Sequence, residues 1–333
     1  MKRNKIDIIR SVVIGHAVGD ALGVPVEFCS REKLRADPVS DMRGYGTHGQ
    51  LRGTFSDDTS MSIAALDAIK GGELDYLGVM RNFAAWYNEG KYTATGEVFD
   101  IGGTCCRTIR SFVSSGSQIP FGHGESDEFS CGNGGLMRIH PFSLFAYFKT
   151  EDTAERLRIV HEATSLTHAH PRCIVASGIY SLMLWAILNG RGREGVLEGA
   201  ARVKEFYFSP TSEFYSFSGE LKYYERLLDV LSDEKGSLRV EESEIRSTGY
   251  VVDSLEAAVW CIMTTNDYKS ALLRAVNLGS DTDTVAAIAG GLAGALYGMG
   301  SIPSEWIKAL LGRESIEAMC LGLAKNICTR RGE

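Results

Sequence analysis

The stretch Asn277-Leu278-Gly279-Ser280-Asp281-Thr282-Asp283-Thr284 runs straight into the apolar segment 285–297, VAAIAGGLAGALY. The first half has the Ser, Thr and Asp oxygens that cap a helix, and the second half is very apolar. Gly290, Gly294 and Gly298 recur every four residues near the end of the chain, and Gly15, Gly19 and Gly23 do the same near its beginning. A glycine inside a helix costs about 1 kcal/mol relative to alanine, so its repeated use needs an offsetting gain. Close backbone approach supplies it. The two glycine ridges therefore predict that the first helix and one of the last cross deep in the core.

Working outward, the dominant period is helical. Ile6, Ile9, Val13 and Ala17 recur at three- and four-residue steps, as do Met61, Ala64, Ala65 and Ala68, then Leu77, Met80, Phe83 and Ala84. Further stripes cover 136–148, 154–164, 174–188, 254–264, 268–276, 306–311 and 316–327. Alternating β-branched runs bounded by tight turns are nearly absent; only Val251-Val252 and 206–208 are ambiguous. The expectation is an all-α protein of about a dozen helices. Two stretches are excursions: the Gly-rich polar loop 114–130, and the charged 209–248, with one helix expected near 221–231. Neither has a core of its own, so 1–333 reads as a single domain.

The chain has 333 residues, 44% hydrophobic, with 35 Lys plus Arg against 42 Asp plus Glu, a formal charge of −7. That balance disfavours a nucleic-acid partner, because an acidic chain without a basic run is a poor clamp for a phosphate backbone. The longest apolar runs, 173–188 and 285–299, are about 15 residues, short of the ~20 needed to span a bilayer. Asp7 and Arg10 interrupt what would be the apolar part of a leader. The eight cysteines form no Cys-x-x-Cys pair, so free thiols in a reducing, cytoplasmic setting are expected. The adjacent Cys105 and Cys106 read as a small apolar helix face rather than a reactive pair.

The chemistry gathers at helix starts. Gly53-Thr54-Phe55-Ser56-Asp57-Asp58-Thr59-Ser60 precedes one apolar face, and Asp281-Thr282-Asp283-Thr284 precedes another. One oxygen suffices for a cap, so adjacent carboxylates exceed what capping requires. Carboxylates converging in one pocket raise each other's pKa unless a cation neutralises them, and neither cluster contains Lys or Arg. An all-oxygen set of Asp, Ser and Thr suits Mg²⁺ or Mn²⁺, whereas zinc favours His and Cys. Gly132-Asn133-Gly134-Gly135 is a loop that lets backbone amides approach an anion, and Asp100 and Gly102 precede a similar helix start. His168 falls between one helix and Pro171, which opens the next, and Glu27 follows the first glycine-ridged helix.

In order, GDALGVPVEF (19–28), GTFSDDTSM (53–61), FDIGGT (99–104), GNGGLMR (132–138), TSLTHAHP (164–171), GYVVDSLEAA (249–258) and GSDTDTVAAIAGGLAGALYG (279–298) resemble the ADP-ribosylglycohydrolase family. The founding type of that family removes ADP-ribose from an arginine of dinitrogenase reductase. The resemblance spans nearly the whole chain. It implies a compact orthogonal multi-helix bundle around two Mg²⁺ or Mn²⁺ ions. It implies metal ligands at Ser56, Asp57, Asp58, Asp281, Asp283 and Thr284. It also implies ADP-ribose contacts from Asp100, Gly102, Asn133, Gly134, Gly135, Met137 and His168, with Glu27 near the scissile bond. Ser56 departs from the threonine of many members but keeps the hydroxyl.

The expected reaction is hydrolysis of the bond between the distal ribose of ADP-ribose and a protein side chain such as arginine. Asp57, Asp58, Asp283 and Glu27 are the candidates to take the water's proton. The alternatives are a hydrolase of a small conjugate such as O-acetyl-ADP-ribose, and a non-catalytic ADP-ribose-binding or structural member. Loss of metal-site carboxylates would mark the last, and every expected carboxylate is present. The partner expected is an ADP-ribosylated protein or small conjugate, and the chain is expected to be a monomer without a membrane partner.

Overall fold

The computed structural model of the chain describes residues 3–232 and 240–327. Cys328 and part of the 209–248 excursion lie outside the described residues. Fifteen α-helices follow one another there: α1 (Lys5–Gly23), α2 (Arg31–Ala36), α3 (Asp57–Ile69), α4 (Tyr76–Glu89), α5 (Gly103–Ser115), α6 (His140–Lys149), α7 (Thr153–Ser165), α8 (Pro171–Ala186), α9 (Glu194–Tyr207), α10 (Glu225–Ser232), α11 (Val251–Met263), α12 (Tyr268–Asn277), α13 (Thr282–Tyr297), α14 (Ser304–Ala309) and α15 (Arg313–Asn326). Among the described residues there are isolated β-bridges but no strand, as the periodicity predicted. Both ambiguous stretches are helical or helix-flanking: Val251 and Val252 open α11, and Phe206 and Tyr207 close α9.

Two boundaries differ from the sequence reading. The stripe 136–148 is helical only in part: residues 136–138 form a turn, following the 3₁₀ segment Asn133–Gly135, and α6 begins only at His140. Pro141 sits in its first turn, where a missing N–H breaks no helical bond. The helix expected near 221–231 is divided into a 3₁₀ run, Tyr215–Tyr223, and α10.

The glycine ridges do what they predicted. A Cβ on Gly15 would lie 2.5 Å from the Gly290 carbonyl oxygen, and one on Gly19 would lie 2.1 Å from that of Ala286. On Gly23 it would sit 2.3 Å from the Asp283 Cα, and on Gly294 it would sit 1.9 Å from the Ser11 oxygen. Helices α1 and α13 thus touch backbone to backbone, closer than any side chain would allow. Gly298 is the exception. It has φ +83° and follows the last turn of α13, so its role is to end the helix in a left-handed conformation.

With its 3₁₀ continuation α1 becomes the run Lys5–Val26, and α8 with its π-turn becomes Pro171–Arg191. Both are longer than the apolar runs read from the sequence, and both are long and apolar enough to cross a membrane by length and composition. Their apolar windows are 89% and 83% buried inside the protein, so that surface is used to build the core.

This crossing positions the chemistry. Because α1 ends against the start of α13, the Thr282 hydroxyl donates to the Gly23 carbonyl at 2.9 Å. From the interior of α1, the buried Asp20 carboxylate accepts the backbone N–H of Ser56 at 2.9 Å and that of Thr59 at 2.9 Å. Asp20 therefore caps α3 from another helix, and the starts of α3 and α13 converge.

Candidate active site

The convergence is direct. Asp58 Oδ2 accepts from the Ser56 hydroxyl at 3.2 Å and from the Thr284 hydroxyl at 3.1 Å, joining segments more than two hundred residues apart. Asp281 Oδ2 accepts from the Asn133 amide at 2.7 Å, and that amide also donates to Ser254 Oγ at 2.9 Å. Asp283 Oδ1 accepts the Thr284 backbone N–H at 2.9 Å. Within its own segment α3 is capped by the Ser56 side chain, and Asp281 makes no side-chain cap for α13. The carboxylates are surplus to capping, as their number suggested.

Above them lies a cleft of about 390 Å³. Its wall includes Glu27, Asp57, Asp100, Gly102, Asn133, Gly134, Met137, His168, Asp281 and Thr284. Ser56, Asp58 and Asp283 are buried and not part of that wall. Gly135 is placed differently from the expectation of a ligand contact: it is outside the cleft wall, and a Cβ there would lie 3.0 Å from Thr164 Cγ2 and 3.1 Å from His168 Cβ. It gives His168 room.

Burying acids together has a clear electrostatic signature. Burial first, then the neighbouring charges of Asp100 and Asp20, holds the Asp57 carboxyl well above the usual carboxylate range. Burial, Asp20 and Asp57 do the same to Asp58, and burial followed by Glu27 does so to Asp283. Asp281 is raised chiefly by burial, with the Asn133 hydrogen bond opposing. Glu27 is pushed up to about 10 by burial, Asp100 and Asp281. Asp20 rises only to about 6, because hydrogen bonds from Thr59 and Ser56 oppose its burial.

Three of these acids also carry a buried oxygen with no hydrogen-bond partner: Asp58 Oδ1, Asp281 Oδ1 and Asp283 Oδ2. An uncompensated buried carboxylate is expensive, and a hard divalent cation is the group that satisfies several at once. Ligand oxygens of Glu27, Asp281 and Asp283 lie within 4.8 Å of one another, and a second such group joins Glu27, His48 and Asp100. The donor set and the orphaned oxygens fit a metal site.

The polar side of the cleft has its own logic. Buried Arg138 donates to the Thr167 hydroxyl at 2.7 Å, and that hydroxyl lies 2.8 Å from His168 Nδ1. The Thr167 hydroxyl, already accepting from Arg138, has its own proton free to face Nδ1, an arrangement that would put the ring proton on Nε2. Burial, followed by the field of Arg138, lowers the His168 pKa to about 3. The neutral ring lies beside Gly134, where a Cβ would lie 3.3 Å from Nε2. At another part of the wall α5 begins just after Gly102, which offers no side-chain cap, leaving first-turn amides without a side-chain partner from the cap. Cys105 lines the cleft with its thiol pushed up to about 12 by burial, which agrees with the unreactive reading.

Sequence reasoning missed Asp20 and His48. His48 Nε2 lies 2.5 Å from Glu27 Oε2, so Glu27 is a buried, partnered acid. Asp20 had a readable signal, a carboxylate one turn from His16 in the apolar second half of α1; His48 had none.

Fold and site together define an all-α protein with an acid-floored cleft suited to a cation. The chain matches the ADP-ribosylglycohydrolase family over residues 1–333. It is 32% identical to the ADP-ribosylarginine hydrolase Tri1 of Serratia proteamaculans (strain 568), over 93% of this chain and 77% of that protein. It is 30% identical to the ADP-ribosyl-[dinitrogen reductase] glycohydrolase of Rhodospirillum rubrum, over 89% of this chain and 88% of that one. A solved structure described as an ADP-ribosylglycohydrolase-related protein complex superposes with a TM-score of 0.76 at 27% identity, covering 98% of this chain and 99% of that one. The chain belongs to the ADP-ribosylglycohydrolase family and is a hydrolytic enzyme.

Proposed function

We propose that this cleft hydrolyses the bond between the distal ribose C1 of ADP-ribose and a protein side chain, with arginine as the acceptor. The observation that carries this reading is the meeting of two acidic helix starts at Asp58 Oδ2, with orphaned oxygens on Asp58, Asp281 and Asp283. Ser56, Asp57, Asp58, Asp281, Asp283 and Thr284 would hold two divalent cations, Mg²⁺ or Mn²⁺. Bound there, the ions supply positive charge that orients the vicinal ribose hydroxyls and polarises a water.

The chain's own groups do the rest. The C1–N bond breaks with its electron pair staying on the guanidinium nitrogen, which leaves as a neutral guanidine, while a water oxygen bonds to C1. One carboxylate among Asp57, Asp58, Asp283 and Glu27 takes the water's proton, and the guanidine regains a proton from solvent or that carboxyl. Positive charge building on the ribose is stabilised by the remaining acids. The diphosphate is received by uncapped amides at the start of α5 and by the Asn133–Gly135 turn, since no Lys or Arg lines the cleft. Asp100, Gly102, Met137 and the Nε2–H of His168 orient the ADP-ribose, and Asn133 is held for this by Ser254 and Asp281. We take the chain to act as a monomer, and the thiols of Cys29, Cys105, Cys106, Cys131, Cys173, Cys261 and Cys320 are free, in keeping with the cytoplasm. We take the whole of 1–333 as one working domain.

The test is release of ADP-ribose from ADP-ribosylarginine with Mg²⁺ or Mn²⁺ present. The reading expects turnover that stops with a chelator and returns on adding either ion; full activity in metal-free buffer would refute it.

A further inference from the structure

Beside Glu27 stands a residue that neither the core nor the acid floor requires. Phe28 has φ +61° and leaves its side chain 67% exposed. Bulky residues rarely adopt that backbone, and such strain persists only where the surroundings fix it. Here the Phe28 N–H donates to the Ser280 carbonyl at 2.7 Å, and the Ser280 N–H donates to the Cys29 carbonyl at 2.9 Å. Ser280 is itself left-handed at φ +64°, so two strained residues lock one another. The locked turn makes Phe28 a partition. It belongs to the wall of the acid-floored cleft and also to that of a second hollow of about 500 Å³, which includes Ser30, Arg31 and Thr248. The ring is 6.0 Å from the His48 ring, centroid to centroid, and tilted to it, a loose contact that leaves most of its area in water.

We propose that Phe28 reads the acceptor: the planar guanidinium of an ADP-ribosylated arginine lies against this ring, next to the carboxyl of Glu27. A guanidinium is a flat, delocalised and weakly hydrated cation that stacks on aromatic faces. The wall of the cleft is acidic and has no Lys or Arg side chain to repel such a cation. A serine or acetyl-ester acceptor offers neither the charge nor the flat surface, so it gains nothing from the ring. The inference rests on the hydrolase reading of the same cleft and adds the residue that selects the acceptor.

Phe28→Ala, Phe28→Leu and Phe28→Tyr are compared with wild type, with Mn²⁺ present, on ADP-ribosylarginine, ADP-ribosylserine and O-acetyl-ADP-ribose. Wild type should have its highest kcat/KM on the arginine conjugate. The Ala and Leu variants should each lose about tenfold there through KM, the size of one stacked cation. They should change by less than about twofold on the other two substrates, and the Tyr variant should behave as wild type. Affinity for free ADP-ribose, which lacks the acceptor, should be unaltered in all three. Equal losses on every substrate, a Leu variant as good as Tyr, or a wild type that prefers serine or the ester would overturn the proposal while leaving the hydrolase reading intact. No release from any conjugate by wild type would sink both.

Discussion

The floor and the mouth of the cleft are built by opposite means. The floor is two helix starts pressed together by a glycine crossing, with Asp58 and Asp283 out of water. The mouth is short loop, with Phe28, Asp100 and Ser280 all at positive φ and none of them glycine. The floor concentrates charge where it is costly and depends on close packing to keep it there. The mouth stores backbone strain and is held by a few main-chain hydrogen bonds. Substitutions in the floor should therefore remove chemistry or fold, and substitutions at the mouth should trade affinity against stability.

The largest effect is expected from the floor's acids. Asp57→Ala and Asp283→Ala should each lower turnover by a thousandfold or more, on the order of the electrostatic contribution of a catalytic group, with far-ultraviolet circular dichroism unchanged. Retention of a tenth of wild-type activity by either variant would break the contrast. Next comes the crossing that holds the floor. Gly19→Val forces a side chain where even a Cβ meets the Ala286 oxygen at 2.1 Å. It should cost about 3 kcal/mol or more, read as a fall in Tm or a loss of soluble protein.

A smaller effect separates the floor's charge from its packing. Folded Asp20 and Glu27 hold protons up to about 6 and about 10, raised mainly by burial, whereas unfolded carboxyls release theirs near pH 4. Below pH 4 that stabilising difference is fully present, and it is lost as pH rises through the folded values, so cation-free protein weakens across this window. A divalent cation offsets the buried charge. The Tm gained with Mn²⁺ over chelator should therefore widen from about pH 5 to about pH 8, and a gain that stays constant or shrinks would contradict the account. The smallest effect belongs to the mouth. Asp100→Gly relieves a left-handed residue at φ +55° and should raise stability by about 1 kcal/mol in thermal melts while weakening ADP-ribose binding.

The same contrast explains what the sequence disclosed. Glycines four apart can be read because only a backbone crossing rewards them, and both ridges met where they predicted. Acid-rich helix starts can be read because capping leaves their carboxylates unexplained. The boundary of α6 was obscured because the apolar stripe already begins at Leu136, in the non-helical turn that precedes the helix, and Gly298 fell on the ridge's spacing while serving as a helix end. His48 reaches Glu27 through a loop, and the strained turn of Phe28 and Ser280 uses ordinary residue types, so neither left a pattern. Asp20 stands out as a carboxylate in an apolar stretch, but its partners at the start of α3 lie across a tertiary contact that local spacing does not encode.

The central claim is that the starts of α3 and α13 share the binding of divalent cations. Titrating Mn²⁺ into chelator-stripped protein, followed by the loss of the free-ion paramagnetic resonance signal, tests it directly. Wild type should bind saturably, and Asp58→Asn or Asp283→Asn alone should weaken that binding by about tenfold or more, since each helix start supplies part of one site. Binding equal to wild type in both variants would contradict the account.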